Sequence, residues 1–146
     1  MTSTRDDRDR TPWSGLITIA RLREFHTIGL KRYGGKDGPG DPSACLDAAV
    51  GAAYSAELYT TGKRHATAGL PFSGYLIFYI ALRHCFVDGN KRVAWMAAME
   101  VLAQHGLSVR ASIDEAHDMI EAVLNHQLES GEQVTAWLAP RLYSIS

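Results

Sequence analysis

An all-helical, single-domain bundle is the fold class this sequence predicts, and three observations predict it. Apolar residues recur at helical spacing along most of the chain, capping residues and glycines fall between those stretches, and strand-like alternation is absent outside one segment near residue 65. A chain of 146 residues suits one hydrophobic core. Its composition, 46% hydrophobic and 21% charged with Gly and Pro dispersed, is what a compact chain needs to offset its conformational entropy.

Residues 1–15 read as a flexible tail in which Arg5, Arg8 and Arg10 balance Asp6, Asp7 and Asp9, and the domain is expected over 16–146. From Thr18, the positions Ile19, Leu22, Phe25, Ile28 and Leu30 predict a first helix that stops at Tyr33-Gly34-Gly35. After the loop KDGPGDPS, Ser43 is expected to cap a second helix carrying Leu46, Val50, Ala53, Tyr54 and Leu58. Residues 60–71 read as a long loop or a small hairpin.

A third helix, from Phe72 to about His84, is apolar on nearly every face and belongs at the centre of the bundle. The break Val87-Asp88-Gly89-Asn90 leads into a fourth, with Val93, Met96, Ala97, Met99 and Leu102 inward and Gly106 near its end. Ser112 caps a fifth helix reading through Leu128. After Ser130-Gly131 a sixth carries Val134, Trp137, Leu138 and Leu142. Trp95, Trp137 and the methionines are expected in the core.

Charge and cysteine usage narrow the function classes. Fifteen basic residues against sixteen acidic ones leave a net charge of -1, so no overall positive field exists to hold a nucleic acid. The most apolar stretch, Leu76 to Leu82, falls far short of the roughly 20 residues a membrane span needs. With no apolar leader at the start and only Cys45 and Cys85 as cysteines, a reducing cytoplasm is expected, with Cys85 a buried thiol.

The chemistry gathers in His84-Cys85-Phe86-Val87-Asp88-Gly89-Asn90-Lys91-Arg92. Free N–H groups in the first turn of a helix favour an anion, and Gly89 lets a phosphate approach the main chain closely. Lys91 and Arg92 sit where the helix dipole disfavours cations, a local conflict that a bound polyphosphate would resolve. Arginine grips phosphate oxygens bidentately. Asp88 suits a magnesium ion shared with phosphate oxygens, His84 suits a general base, and Phe86 suits a buried anchor for the loop. His26 is open between packing and contact with the site. His65, His105, His117 and His126, scattered and without paired spacing, read as surface residues.

At these residues the sequence resembles the Fic/Doc family, whose pattern is His, any residue, Phe, any residue, an acid, a small residue, Asn, Gly or Lys, then Arg; HCFVDGNKR fits throughout. The resemblance extends over His26 through Tyr33-Gly34-Gly35, Asp41 and the closing helices, and Lys91 matches the Doc branch, where Fic nucleotidyl transferases have glycine. It implies a toxin of a type II toxin–antitoxin system that transfers the ATP γ-phosphate to a protein hydroxyl, for Doc a threonine of elongation factor Tu. It further implies His84 as base, Asp88 on Mg2+, Gly89, Asn90, Lys91 and Arg92 around the phosphates, and a separate antitoxin protein. The other readings it leaves are AMP transfer and a non-catalytic nucleotide-binding adaptor. In Fic proteins a hairpin near residues 60–71 captures the target as an added strand, which makes Lys63, Arg64 and His65 a target-binding loop by the same resemblance.

Overall fold

The computed structural model describes residues 12–13, 15–62 and 69–145. Helices α1 (Ile19–Tyr33), α2 (Ser43–Thr61), α3 (Leu70–Arg83), α4 (Asn90–Gln104), α5 (Ile113–Leu124) and α6 (Gly131–Leu138) make up nearly all of it, and the all-helical bundle is the fold. The charged residues 1–11 and the loop residues Lys63, Arg64 and His65 lie outside the described residues.

Local chemistry accounts for the helix starts. The Thr18 hydroxyl accepts from Arg21 N at 3.0 Å to open α1, and Ser112 with Glu115 forms a reciprocal capping box at α5. Ser43 does not cap α2. It is the first residue of that helix, and Asp41 takes the capping role by accepting from Ser43 N at 2.9 Å.

Other boundaries also differ from expectation. Trp13 is not part of a solvated tail: its half-buried ring stacks at a tilt on Tyr54, with centroids 5.6 Å apart, and lies against Gly51. Helices α5 and α6 end at Leu124 and Leu138, earlier than the apolar pattern reads. Beyond α6, a single 3-10 turn (Ala139–Arg141) leads into β2 (Leu142–Ser144), which pairs antiparallel with β1 (Leu107–Val109) in the register Leu107 to Ser144. Strands this short carry too little alternation to be read from sequence.

Helix α3 occupies the centre and packs against α2, α4, α5 and α6. Phe72, Leu76, Ile77 and Ile80 are fully buried, worth about 2 kcal/mol each in surface removed from water. Its approach to α6 is set by two glycines. A Cβ on Gly131 would fall on the Tyr75 ring, and one on Gly74 would fall on Thr135. The Tyr75 hydroxyl donates to Glu132 Oε1 at 3.0 Å and meets Thr60 Oγ1 at 2.6 Å, tying α2, α3 and α6 at one corner. Burial there pushes the phenol above its usual pKa range.

Cys45 and Cys85 are joined in a disulfide rather than free. The cross-link spans a sequence separation of 40 and ties the first turn of α2 to the second residue after α3's end. On loop entropy alone, closing a loop of that length restricts the unfolded chain by about 4 kcal/mol. Free thiols therefore no longer argue for a reducing compartment. Among the described residues no helix is long and apolar enough to cross a membrane.

Gly131→Ala is expected to destabilise the protein by about 2 kcal/mol or more through overpacking against Tyr75, read as a lower urea midpoint at unchanged slope. An unaltered midpoint would show that α6 can move off α3 freely.

Candidate active site

The site is built on the turn from α3 to α4. Helix α3 closes with His84 in the left-handed conformation, at φ 51° and ψ 53°, where glycine is the usual residue. For a residue with a side chain that conformation costs roughly 1–2 kcal/mol, so the surroundings must hold it. Gly89, at φ 90°, starts α4 and offers no side chain to cap it, which leaves the first-turn N–H groups available to an anion. A Cβ there would lie 3.2 Å from the His26 ring as well as in a strained backbone.

Asn90 holds the turn together. Its buried amide accepts from Phe86 N at 3.0 Å and donates to Phe86 O at 2.8 Å, a reciprocal pair that fixes which end of the amide is which. The same Nδ2 stands 3.3 Å from His84 Nδ1. Because that nitrogen of Asn90 is a donor, the neutral ring accepts on Nδ1. Asn90 is thus a backbone clasp and an orienter of His84, as well as the helix-start residue expected near the phosphates.

His26, on α1, contacts the loop directly. Its ring stacks on Phe86 with centroids 3.8 Å apart, and its Nε2–H donates to the Asp88 carbonyl at 2.8 Å. Phe86 is buried, the anchor its type predicts. The Asp88 carboxylate is exposed, and one of its oxygens accepts from Lys36 N at 2.7 Å, which points it along the loop after α1. That arrangement suits a magnesium ion. Oδ1 keeps its lone pairs among the described residues, and magnesium typically takes one or two carboxylates with the rest of its shell from phosphate and water.

The two cations diverge. Arg92 turns toward α1, its guanidinium 4.9 Å from the Tyr33 ring centroid and its Nη2 donating to Gly34 O at 3.4 Å. Lys91 turns the other way, to α5, where its ammonium pairs with Glu121 and lies 3.3 Å from His117 Nε2. The hydrogen bond from Lys91, and then its charge, hold the Glu121 carboxyl below its usual pKa of 4.5. A carboxylate with a depressed folded pKa stabilises the fold above its unfolded pKa. That contribution fades as acid titrates Glu121.

His84, Phe86, Asp88, Gly89 and Asn90 are therefore together in one turn, Arg92 flanks it on the α1 side, and Lys91 is held on the α5 side. Sequence reasoning left His26 undecided and missed Lys36 and Glu121. Each reaches the turn from more than 25 residues away in sequence, across a helix interface, and no local spacing marks such a contact. Asp41 serves the α2 start and pairs with Arg23 at 3.4 Å.

Relief of the left-handed strain gives a test. His84→Gly is expected to gain up to about 1 kcal/mol of stability in chemical denaturation, offset in part by the lost Asn90 contact. A marked loss would mean the ring stabilises the turn rather than being held there against strain.

No curated protein matches this chain. The family model described as the Fic/DOC family matches residues 16–102, more than half of the chain, from the turn before α1 through most of α4 with the whole His84 to Arg92 segment inside it. The chain belongs to the Fic/DOC family, whose members are typically transferases that move AMP or a phosphoryl group and generally bind ATP with Mg2+.

Proposed function

We propose that this chain is a protein kinase that transfers the γ-phosphate of ATP to a protein hydroxyl. The observation that carries the reading is the exposed His84 imidazole, held by Asn90 within one short turn of the uncapped start of α4, with Asp88 between them. The first-turn N–H groups of α4 and the Arg92 guanidinium bind phosphate oxygens. Asp88 holds Mg2+, which when bound neutralises charge on those oxygens. His84 takes the proton of the attacking hydroxyl on Nδ1, its lone-pair nitrogen, since Nε2 already carries the hydrogen in that tautomer. An imidazolium carries N–H on both nitrogens and cannot accept, so the contact with Asn90 is given up at that moment; at 3.3 Å it is weak enough to yield.

The same reading makes the chain a toxin of a type II toxin–antitoxin system acting in the cytoplasm. Its target is a threonine of elongation factor Tu, its target-binding loop includes Lys63, Arg64 and His65, and a separate antitoxin protein restrains it, with neither membrane nor nucleic acid as a partner. The resemblance to the Doc branch at Lys91 supports this.

AMP transfer is the second reading, favoured by one observation. Lys91, the residue that matches the Doc branch where nucleotidyl transferases have glycine, is paired to Glu121 on α5 and so leaves the start of α4 as open as glycine would.

Incubation with Mg-ATP and a bacterial extract, followed by mass spectrometry of intact targets, separates the readings by a phosphoryl-sized or an AMP-sized increment. His84→Ala is expected to lower transfer by 10²-fold or more with nucleotide binding kept, as loss of a general base does. If it inhibits growth as strongly as the parent, the base assignment falls and the adaptor reading gains. Glu121→Gln releases Lys91 and is expected to tighten Mg-ATP binding several-fold by calorimetry. An unchanged Kd would leave Lys91 on α5 and favour AMP transfer.

A further inference from the structure

The only cysteines of the chain form a cross-link whose one end is Cys85, the residue next to His84, and whose other end is Cys45 in the first turn of α2. Both are half-buried and stand in the wall of a cleft of about 290 Å³ that also touches Arg23, Thr27, Asp41 and Val87. The cleft brings solvent to the two cysteine residues without opening the core. Disulfides of small secreted domains usually replace a core too small to hold the fold. Here Leu22, Leu46, Leu76, Ile80, Leu102 and Leu138 are all fully buried, so the fold has an apolar core of its own. In reducing compartments a disulfide is generally transient and redox-sensing or catalytic.

Position decides which part of the site it touches. His84 has an unfavourable left-handed backbone, and its neighbours on the two sides are the end of α3 and Cys85. Phe86 and Asp88 are fixed separately, by Asn90 and His26, and Arg92 is fixed by Tyr33 and Gly34. The cross-link is therefore redundant for the nucleotide end of the site, whereas for the base it adds to a single weak ring contact, His84 Nδ1 to Asn90 at 3.3 Å.

We propose that Cys45–Cys85 is a thiol-exchange site that sets the activity of this protein by clamping the peptide after His84. A small thiolate attacks one sulfur and forms a mixed disulfide. A second thiol, or the other arm of a dithiol, then displaces the protein sulfur, leaving two protein thiols and one oxidised small-molecule disulfide, two electrons and two protons transferred in all. Freed from α2, residue 85 lets the end of α3 relax out of the left-handed conformation, and His84 loses its register with Asn90. The effect on rate rests on His84 acting as the base. The effect on the ring's surroundings does not.

The full chain is compared in oxidising buffer and after treatment with dithiothreitol without denaturant, beside Cys45→Ser/Cys85→Ser. Alkylation and mass spectrometry are expected to count no free thiol before treatment and two after. Transfer is expected to fall about three- to ten-fold in kcat on reduction, with the Kd for Mg-ATP within two-fold, and to recover on reoxidation. The double variant should show the lower rate in both buffers. Thiols that appear only in denaturant, or a reduced protein as fast as the oxidised one, would overturn the proposal in favour of a purely structural cross-link. If neither form transfers phosphate or AMP, the enzymatic reading has failed, and the His84 ring signals in NMR then decide. Resonances that move on reduction support the clamp, and coincident spectra reject it.

Discussion

The reciprocal hydrogen bonds between the Asn90 amide and the backbone of Phe86 are the constraint on which the site depends. They close the few residues between the end of α3 and the first residue of α4. Every other feature of the turn is referred to that closure. The amide's orientation selects the accepting nitrogen of His84, the position of Phe86 gives His26 its stacking partner, and Gly89 is left to make the bend that a side chain would block. A buried side-chain amide with all its stronger partners on main chain is rigid, since any rotation breaks two bonds in a place water does not reach.

Helix α1 acts as a template against which the turn is set. His26 meets the Asp88 carbonyl, the chain after α1 meets the Asp88 carboxylate through Lys36, and Tyr33 with Gly34 receives Arg92. Two residues, Asp88 through both its carbonyl and its carboxylate and Arg92, are thus held against α1 and the chain that follows it, while Lys91 is held against α5. The start of α4 therefore lies between two scaffolds that control its two cations separately. Arginine on one flank lies against Tyr33 and Gly34, and lysine on the other is paired with the Glu121 carboxylate.

How much of this the sequence showed depended on range. The helices were legible because their apolar spacing is local, and Leu76, Ile77 and Ile80 on α3 proved to be the central core residues that such a pattern implies. The segment could be singled out because its nine residues are contiguous and hold a base, a carboxylate, a glycine and two cations. Contacts between helices were not. His26 and Glu121 look like ordinary helical residues until α1 and α5 are placed on either side of α4. Cys45 and Cys85 were misread for the same reason, since their pairing exists only once the start of α2 lies beside the end of α3. The strand pair β1 and β2 was lost to its shortness, three residues each giving a single alternation.

That small strand pair has an architectural consequence. It draws the last described residues back to the far end of α4, where Ile145 N donates to Gly106 O at 2.9 Å. A helix of 15 residues rises about 22 Å, so this anchorage sits a full helix length from the turn at α4's other end. A fluorophore placed beside Ile145 would sit on the side of the bundle opposite the His84 to Arg92 turn. It would nonetheless report on unzipping of the ribbon that secures the last helix to the fourth.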